Sequence, residues 1–270
     1  MSNEGPRSRA LTSLLRLSFG VASKAATPAT EELARFLREK GLVDLEVRAA
    51  PSYKELAANV RGGSTDVAWL GPVAYAWIAE GVTPIGAIRR KGTGDYKSAL
   101  VVRDDSPIAG VSALATAKDL RAGWVDPWSA AGYVVPRLEL ARRKIFPTIF
   151  ASEKFYGSHR AVLEALRDRA CDIGAVYASA VSEIEVDSLR VRVLATAGPI
   201  PSDVIAVRRN LAPKDYETIR DAFRAACADE TGRERLRDVF DGDELDEELG
   251  AGHTNLRLAY ETGVASGLFD

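Results

Sequence analysis

Short apolar runs alternate with helix-period stripes along most of this 270-residue chain, and that alternation leaves few folds open. Residues 15–22 (LRLSFGVA) alternate and then run apolar, as a first strand does. A helix follows with Leu33, Phe36 and Leu37 on one stripe, stopped near Gly41. Residues 45–49 alternate as a strand, and Ser52 heads a helix through Leu56, Ala57 and Val60 that Gly62-Gly63 closes. Residues 66–70 read as a short buried strand broken at Gly71-Pro72. A helix through Tyr75, Trp77 and Ile78 and a strand over 83–88 complete a βαβαβ unit. The rhythm predicts an α/β chain with a mostly parallel sheet and helices on both faces.

Residues 89–96 are polar and contain glycine, a loop; after a strand over 98–102 and a turn at 104–107 the rhythm starts again. The pattern predicts a helix near 113–120, a strand at 124–125 and a helix over 130–144. It continues with a strand near 150–155, a helix over 159–169, a strand over 173–176, a helix from about Ser179 and a strand over 191–195. Beyond Gly198-Pro199-Ile200-Pro201 one strand (204–207) is expected, and then only helices: 213–226, 232–240 and 256–264. A helical block without its own sheet must bury its stripes on an existing one. The expected organisation is therefore a first lobe of residues 16–97 plus 200–270 and a second lobe of 102–194. Hinge crossovers are placed near 97–102 and 195–203, and residues 1–15 are read as a flexible tail.

Composition narrows the function. Lys and Arg number 36 against 38 Asp and Glu, a net charge of −2, which gives no electrostatic argument for nucleic acid or acidic lipid. No apolar run approaches the roughly 18–20 residues that span a bilayer, so no direct membrane insertion is expected. Cys171 and Cys227 form neither a disulfide framework nor a metal spacing, and with only His159 and His253 a zinc site is not expected. No phosphate-loop consensus or Ser-His-Asp order is visible; catalytic residues and cofactors are expected to be none. Residues 1–16 hold three arginines, a proline and a glycine and no continuous apolar stretch. The chain is expected in the periplasm or another extracytoplasmic space if a leader was removed, and in the cytoplasm otherwise.

Two lobes joined by paired crossovers enclose a cleft onto which strand ends and helix starts converge, the usual ligand site of open α/β sheets. Four turns place small or polar groups at strand ends: Ser23-Lys24, Leu70-Gly71, Ser129-Ala130 and Ser158-His159. Of these, the stretch from Val125 through Asp126-Pro127-Trp128-Ser129-Ala130-Ala131-Gly132 to Tyr133 carries the sharpest chemistry. Small residues at a strand-to-helix turn leave the first backbone N–H groups uncovered, and with the helix dipole they form a site for an anion. Ser129 adds a hydroxyl that can cap the helix or contact a ligand.

Several stretches, in order from about residue 16 to 225, resemble the phosphonate, phosphite and phosphate-binding branch of substrate-binding proteins of ABC transporters. They are residues 66–75 (DVAWLGPVAY), 96–102 (YKSALVV), Asp126-Pro127 with Ser129 and Gly132-Tyr133, Gly157-Ser158-His159 with Ala161-Val162, 172–177, and Ile200-Pro201-Ser202-Asp203. The resemblance implies a two-lobed type II periplasmic-binding-protein-like fold with a ligand cleft between the lobes. It implies that Tyr53, Tyr96, Ser129, the N–H groups of Ala130 and Ala131, Ser158 and His159 hold an oxyanion head. Asp203 matches one of the family's two acidic positions for an amino tail; the other falls near Tyr177, where no carboxylate stands. Trp69, Gly71, Trp128 and Tyr177 are candidate cleft walls. Two departures stand out: Ser-Ala-Ala-Gly replaces the family's Ser-Thr-Ser-Gly, and Trp128 occupies a place that is usually small or polar. The implied function is capture of a small anionic solute for an ABC permease or sensor, as a monomer. The alternative is a cytoplasmic enzyme or ligand sensor on the same fold, for which His159, Asp203 and Asp126 are the available acids and bases.

Overall fold

The structure is a computed structural model, and it describes residues 14–22, 26–90 and 95–269. The Ser23-Lys24 turn and nearly all of the expected N-terminal tail lie outside the described residues. The first part of the chain runs β1 (Arg16–Ala22), α1 (Pro28–Glu39), β2 (Asp44–Ala50), α2 (Tyr53–Gly62), β3 (Val67–Leu70), α3 (Pro72–Ile78) and β4 (Val82–Arg90). Local chemistry sets several of these bounds. Pro28 and Pro72 stand in the first turns of their helices, where a missing N–H costs nothing. The Ser52 hydroxyl accepts from Glu55 N at 3.2 Å, and Gly63, at φ +82°, ends the same helix in the left-handed region.

The second part runs β5 (Asp95–Arg103), β6 (Leu120–Trp124), α4 (Val135–Arg142), β7 (Phe150–Phe155), α5 (His159–Arg167), β8 (Ile173–Tyr177), α6 (Ala180–Glu183) and β9 (Val191–Pro201). The chain then adds β10 (Val204–Arg208), α7 (Pro213–Ala228), α8 (Glu230–Phe240), β11 (Gly242–Asp246) and α9 (Ala251–Ala265). Two sheets result, in the orders β11-β4-β10-β3-β1-β2 and β7-β6-β8-β5-β9.

Both sheets are mixed, which corrects the expectation of a mostly parallel one. β1 pairs parallel with β2 and β3, and β6 pairs parallel with β7 and β8. β10 enters antiparallel between β3 and β4, because it carries the chain back from the second sheet. β5 and β9, the way into the second sheet and the way out, pair antiparallel from Asp95↔Pro201 to Arg103↔Val191. Residues 95–97, expected in the first lobe, pair in the second sheet as the start of β5.

Three smaller expectations also change. β11 was hidden by its composition, since the run Gly-Asp-Glu-Leu-Asp has a single apolar residue and forms a charged edge strand on β4. The helix expected near 113–120 is a short 3₁₀ segment, Val111–Thr116. The helix expected over 130–144 opens instead with a π turn, Ala130–Val134, in which Val134 N donates to Ser129 O at 3.0 Å.

Each sheet is covered on both faces. Phe19, Leu33, Leu37, Ile219 and Phe223 fill the core under α1, α7 and α8, while Leu56, Val60, Leu70 and Ile78 fill the one under α2 and α3. In the second sheet Trp124, Leu114 and Leu140 pack on one face and Val162, Leu163 and Leu166 on the other. Each of these large apolar side chains contributes about 1.5–3 kcal/mol when fully buried. The helix α9 differs from α7 and α8: it lies along α3, while Leu256, Tyr260 and the following Phe269 pack with the second lobe's core.

Asp66, at the foot of β3, ties the first lobe together. Its Oδ2 accepts from Ser18 N (2.9 Å) and Oγ (2.8 Å), and its Oδ1 accepts from Arg208 Nε (2.9 Å). Burial pushes its carboxyl up, but the bonds from Arg208 and Ser18 outweigh that and hold it below the ordinary value of 3.8. A depressed carboxylate stabilises the fold above its unfolded pKa and loses that contribution as the pH falls through the folded one. Asp66→Asn is expected to cost about 1.5–3 kcal/mol at pH 7 in urea unfolding, on the worth of bonds to a charged group. The deficit relative to wild type should shrink as the pH drops below about 4.

Candidate functional site

The carboxyl ends of the parallel strands face one another across the two sheets. Ala22 ends β1, Gly71 and Pro72 follow β3, the 125–134 turn follows β6, and Tyr177 ends β8. Between them lies a cavity of about 200 Å³ lined by Ala22, Tyr53, Trp69, Gly71, Pro72, Tyr96, Trp128, Ser129, Ala130, Ala131, His159, Tyr177 and Asp203. The space is below the roughly 300–1,000 Å³ of sites for drug-sized ligands, so its occupant is small.

The second lobe contributes two helix starts. The Ser129 hydroxyl accepts from Gly132 N at 3.0 Å, which caps the π turn and leaves its own hydrogen able to donate. Ser129, Ala130 and Ala131 are all buried, and Ala131 O accepts from Ser98 Oγ at 2.6 Å, which anchors the turn to β5. Gly132 is required by space: a Cβ there would stand 2.3 Å from Val125 Cγ2 and 2.8 Å from Ser129 Oγ. At the other start His159 is the first residue of α5, and its ring meets Tyr177 edge-on with centroids 4.7 Å apart.

The first lobe and the passages supply the rest. Tyr53 opens α2 and touches Gly71, where a Cβ would meet the phenol ring at 3.6 Å. Tyr96 sits on β5 opposite Ile200 of β9, and Asp203 follows just before β10, so the paired passages bring a phenol and a carboxylate to the same wall. His253 of α9 donates from Nε2 to Ser202 O at 2.9 Å and holds the return passage in place. The indole Nε1 of Trp69 is buried without an acceptor among the described residues.

Every residue expected at the site lines this cavity except Ser158. Its hydroxyl accepts from Ala161 N at 3.1 Å as the cap of α5, and the residue faces an adjoining cavity shared with Tyr53, Trp69, His159 and Tyr177. Ala22 and Pro72 were not anticipated; the signal available was their place at strand ends. Asp126 is absent from the lining: its Oδ1 accepts from Trp128 N (2.8 Å) and its O from Ser129 N (2.9 Å), so it braces the turn. Neither cysteine lines this cavity, and burial pushes the thiols of Cys171 and Cys227 up to about 12 and about 11. Among the described residues, no group of three or more His, Cys, Asp or Glu side chains could hold a metal ion, and no helix is long and apolar enough to cross a membrane.

Residues 21–245 match the family described as ABC transporter, phosphonate, periplasmic substrate-binding protein. The chain belongs to that family. It is 24% identical over 219 residues to the phosphonates-binding periplasmic protein of Escherichia coli K12, an alignment covering 77% of this chain and 65% of that protein. This chain thus matches just under two thirds of the length of that relative. Among solved structures, a binding component of an ABC phosphonate transporter from Pseudomonas aeruginosa superposes with a TM-score of 0.80 at 21% identity, over 93% of this chain and 89% of that one. A Prochlorococcus marinus protein in complex with methylphosphonate superposes at 0.77 and 15% identity, over 93% and 98%. These likenesses show the two-lobed periplasmic-binding fold.

Proposed function

We propose that this member of the phosphonate-binding family captures a small tetrahedral oxyanion, a phosphonate, phosphite or phosphate, between its lobes and delivers it unchanged to an ABC permease. The observation that carries the reading is the convergence of the Ser129 turn, the His159 helix start and Tyr96 of β5 in one lobe with Tyr53 of the other on one cavity. An oxyanion needs many donors and few acceptors in a small, mostly dry space, and charge-assisted bonds there are the strong ones. The donor groups on the lining are the Ser129 hydroxyl, the first N–H groups of its turn, His159 and the two phenols; Trp69 Nε1 is a further donor without a partner among the described residues. The Escherichia coli relative's name and the methylphosphonate held by the Prochlorococcus marinus protein support the same ligand class. On this reading the bodies that close are the two lobes, the first built on β1–β4, β10 and β11 and the second on β5–β9. The protein works as a monomer in the periplasm or an equivalent extracytoplasmic space.

Isothermal calorimetry against methylphosphonate, phosphite, phosphate and sulfate tests the assignment. At least one phosphorus oxyanion should bind at one site per chain and be recovered unchanged. His159→Ala should weaken it by about ten- to a hundred-fold, the worth of one bond to a charged ligand. Absence of binding by all four, or chemical conversion of the ligand, would overturn the reading.

A further inference from the structure

Trp128 has two neighbourhoods. It lines the cavity beside Ser129, and its ring also lies 4.6 Å from that of Trp77 at 72°, an edge-to-face contact. Trp77 belongs to α3 of the first lobe, is 44% exposed, and carries the Arg61 guanidinium 5.7 Å over its ring. Trp128 therefore has the ligand space on one side and a residue at the protein surface on the other. It packs against the apolar cores of both lobes, so the partition is built jointly by them. Its backbone is held as well, because Asp126 accepts from the N–H groups of both Trp128 and Ser129.

We infer that the Trp128–Trp77 pair is a size gate: it walls the cavity directly beside the Ser129 turn that would hold the head group, so the site accepts an oxyanion with no tail or a one-carbon tail and discriminates against longer alkyl chains. The inference rests on the oxyanion reading above and adds what that reading leaves open, the extent of the ligand. On that side a longer chain is admitted by moving the indole, which breaks its edge-to-face contact with Trp77. The second sequence departure thereby gains a role: a large flat side chain stands where the resemblance calls for a small or polar one.

The test is a calorimetric series of methyl-, ethyl-, propyl- and butylphosphonate on the full chain, as wild type, Trp128→Ala and Trp77→Ala. Wild type should lose at least about tenfold in affinity from methyl to butyl, the scale on which one surplus methylene is rejected by a filled apolar site. Trp128→Ala should bring the methyl-to-butyl ratio to within about threefold, and Trp77→Ala should reduce it by a smaller factor on the same scale. Trp77 is partly exposed, so its variant keeps the test valid if Trp128→Ala does not fold. Equal binding of methyl- and butylphosphonate by wild type overturns the gate alone, as does an unchanged ratio in either variant that folds. If no member binds to wild type or to either variant, the oxyanion reading falls and the gate with it.

Discussion

Arg137→Ala is expected to destabilise the protein by about 3 kcal/mol, the lower end of the range for breaking a buried ion pair. The Arg137 side chain is 2% exposed, and its Nη1 donates to Glu153 Oε2 at 2.7 Å. Its Nε and Nη2 both donate to Leu268 O, at 3.2 and 2.8 Å. The guanidinium also lies 5.3 Å from the Tyr133 ring centroid and 5.9 Å from that of Trp124. Truncation would leave the Leu268 carbonyl without this donor and open space beside two aromatic rings. Glu153 retains Trp124 Nε1 at 2.6 Å and is 26% exposed, which is why the lower end applies. The loss should appear as a fall in Tm of roughly 6–12 °C. Arg137→Met should lose less, because it keeps most of the packing. A change under about 1 kcal/mol would mean that the segment after α9 is held by Phe269 on Tyr133 and Tyr260 alone.

Gly132→Ala should reduce oxyanion affinity by a hundred-fold or more while costing about 1–3 kcal/mol of stability, the usual range for overpacking. The added methyl would lie 2.3 Å from Val125 Cγ2 and 2.5 Å from its Cβ, and Val125 is 2% exposed with a stiff side chain. The turn must then move, and Ser129 moves with it, because Gly132 N donates to Ser129 Oγ. Loss of Ser129 and one backbone donor removes two bonds to a charged ligand, about 3–6 kcal/mol and hence a hundred-fold or more. Val125→Ala in the Gly132→Ala background should recover much of the affinity by making room. Calorimetry on the two variants measures both effects. Affinity retained within about threefold in Gly132→Ala would detach the turn from the ligand.

The alternation from β1 to β4 was legible because each element carries an unbroken apolar period, as in Leu33, Phe36 and Leu37 or in the 66–70 run. The orientation of β10 was not, since Val204–Arg208 looks the same whichever way it pairs; its direction follows from where the chain has been. β11 escaped because an edge strand of Gly-Asp-Glu-Leu-Asp needs only Leu245 to pack. The π turn escaped because nothing in Ala-Ala-Gly-Tyr-Val distinguishes a bond to the fifth residue from one to the fourth. At the site, Ser129 and His159 could be found from turn chemistry, because both stand where a strand gives way to a helix. Tyr96 and Asp203 came from the resemblance, and their common wall is a product of β5–β9 pairing between residues about a hundred apart. Ser158 was expected at the ligand beside His159; it caps α5 by accepting from Ala161 N and faces the adjoining cavity.

The most direct measurement of the central claim is a crystal structure of the protein grown with saturating methylphosphonate. The account predicts one ligand between the lobes, its oxygens about 2.5–3.2 Å from the Ser129 hydroxyl, the first N–H groups of the turn, His159 and at least one of Tyr53 and Tyr96. A cleft without the ligand, or a ligand bound elsewhere with Ser129 and His159 untouched, would contradict it.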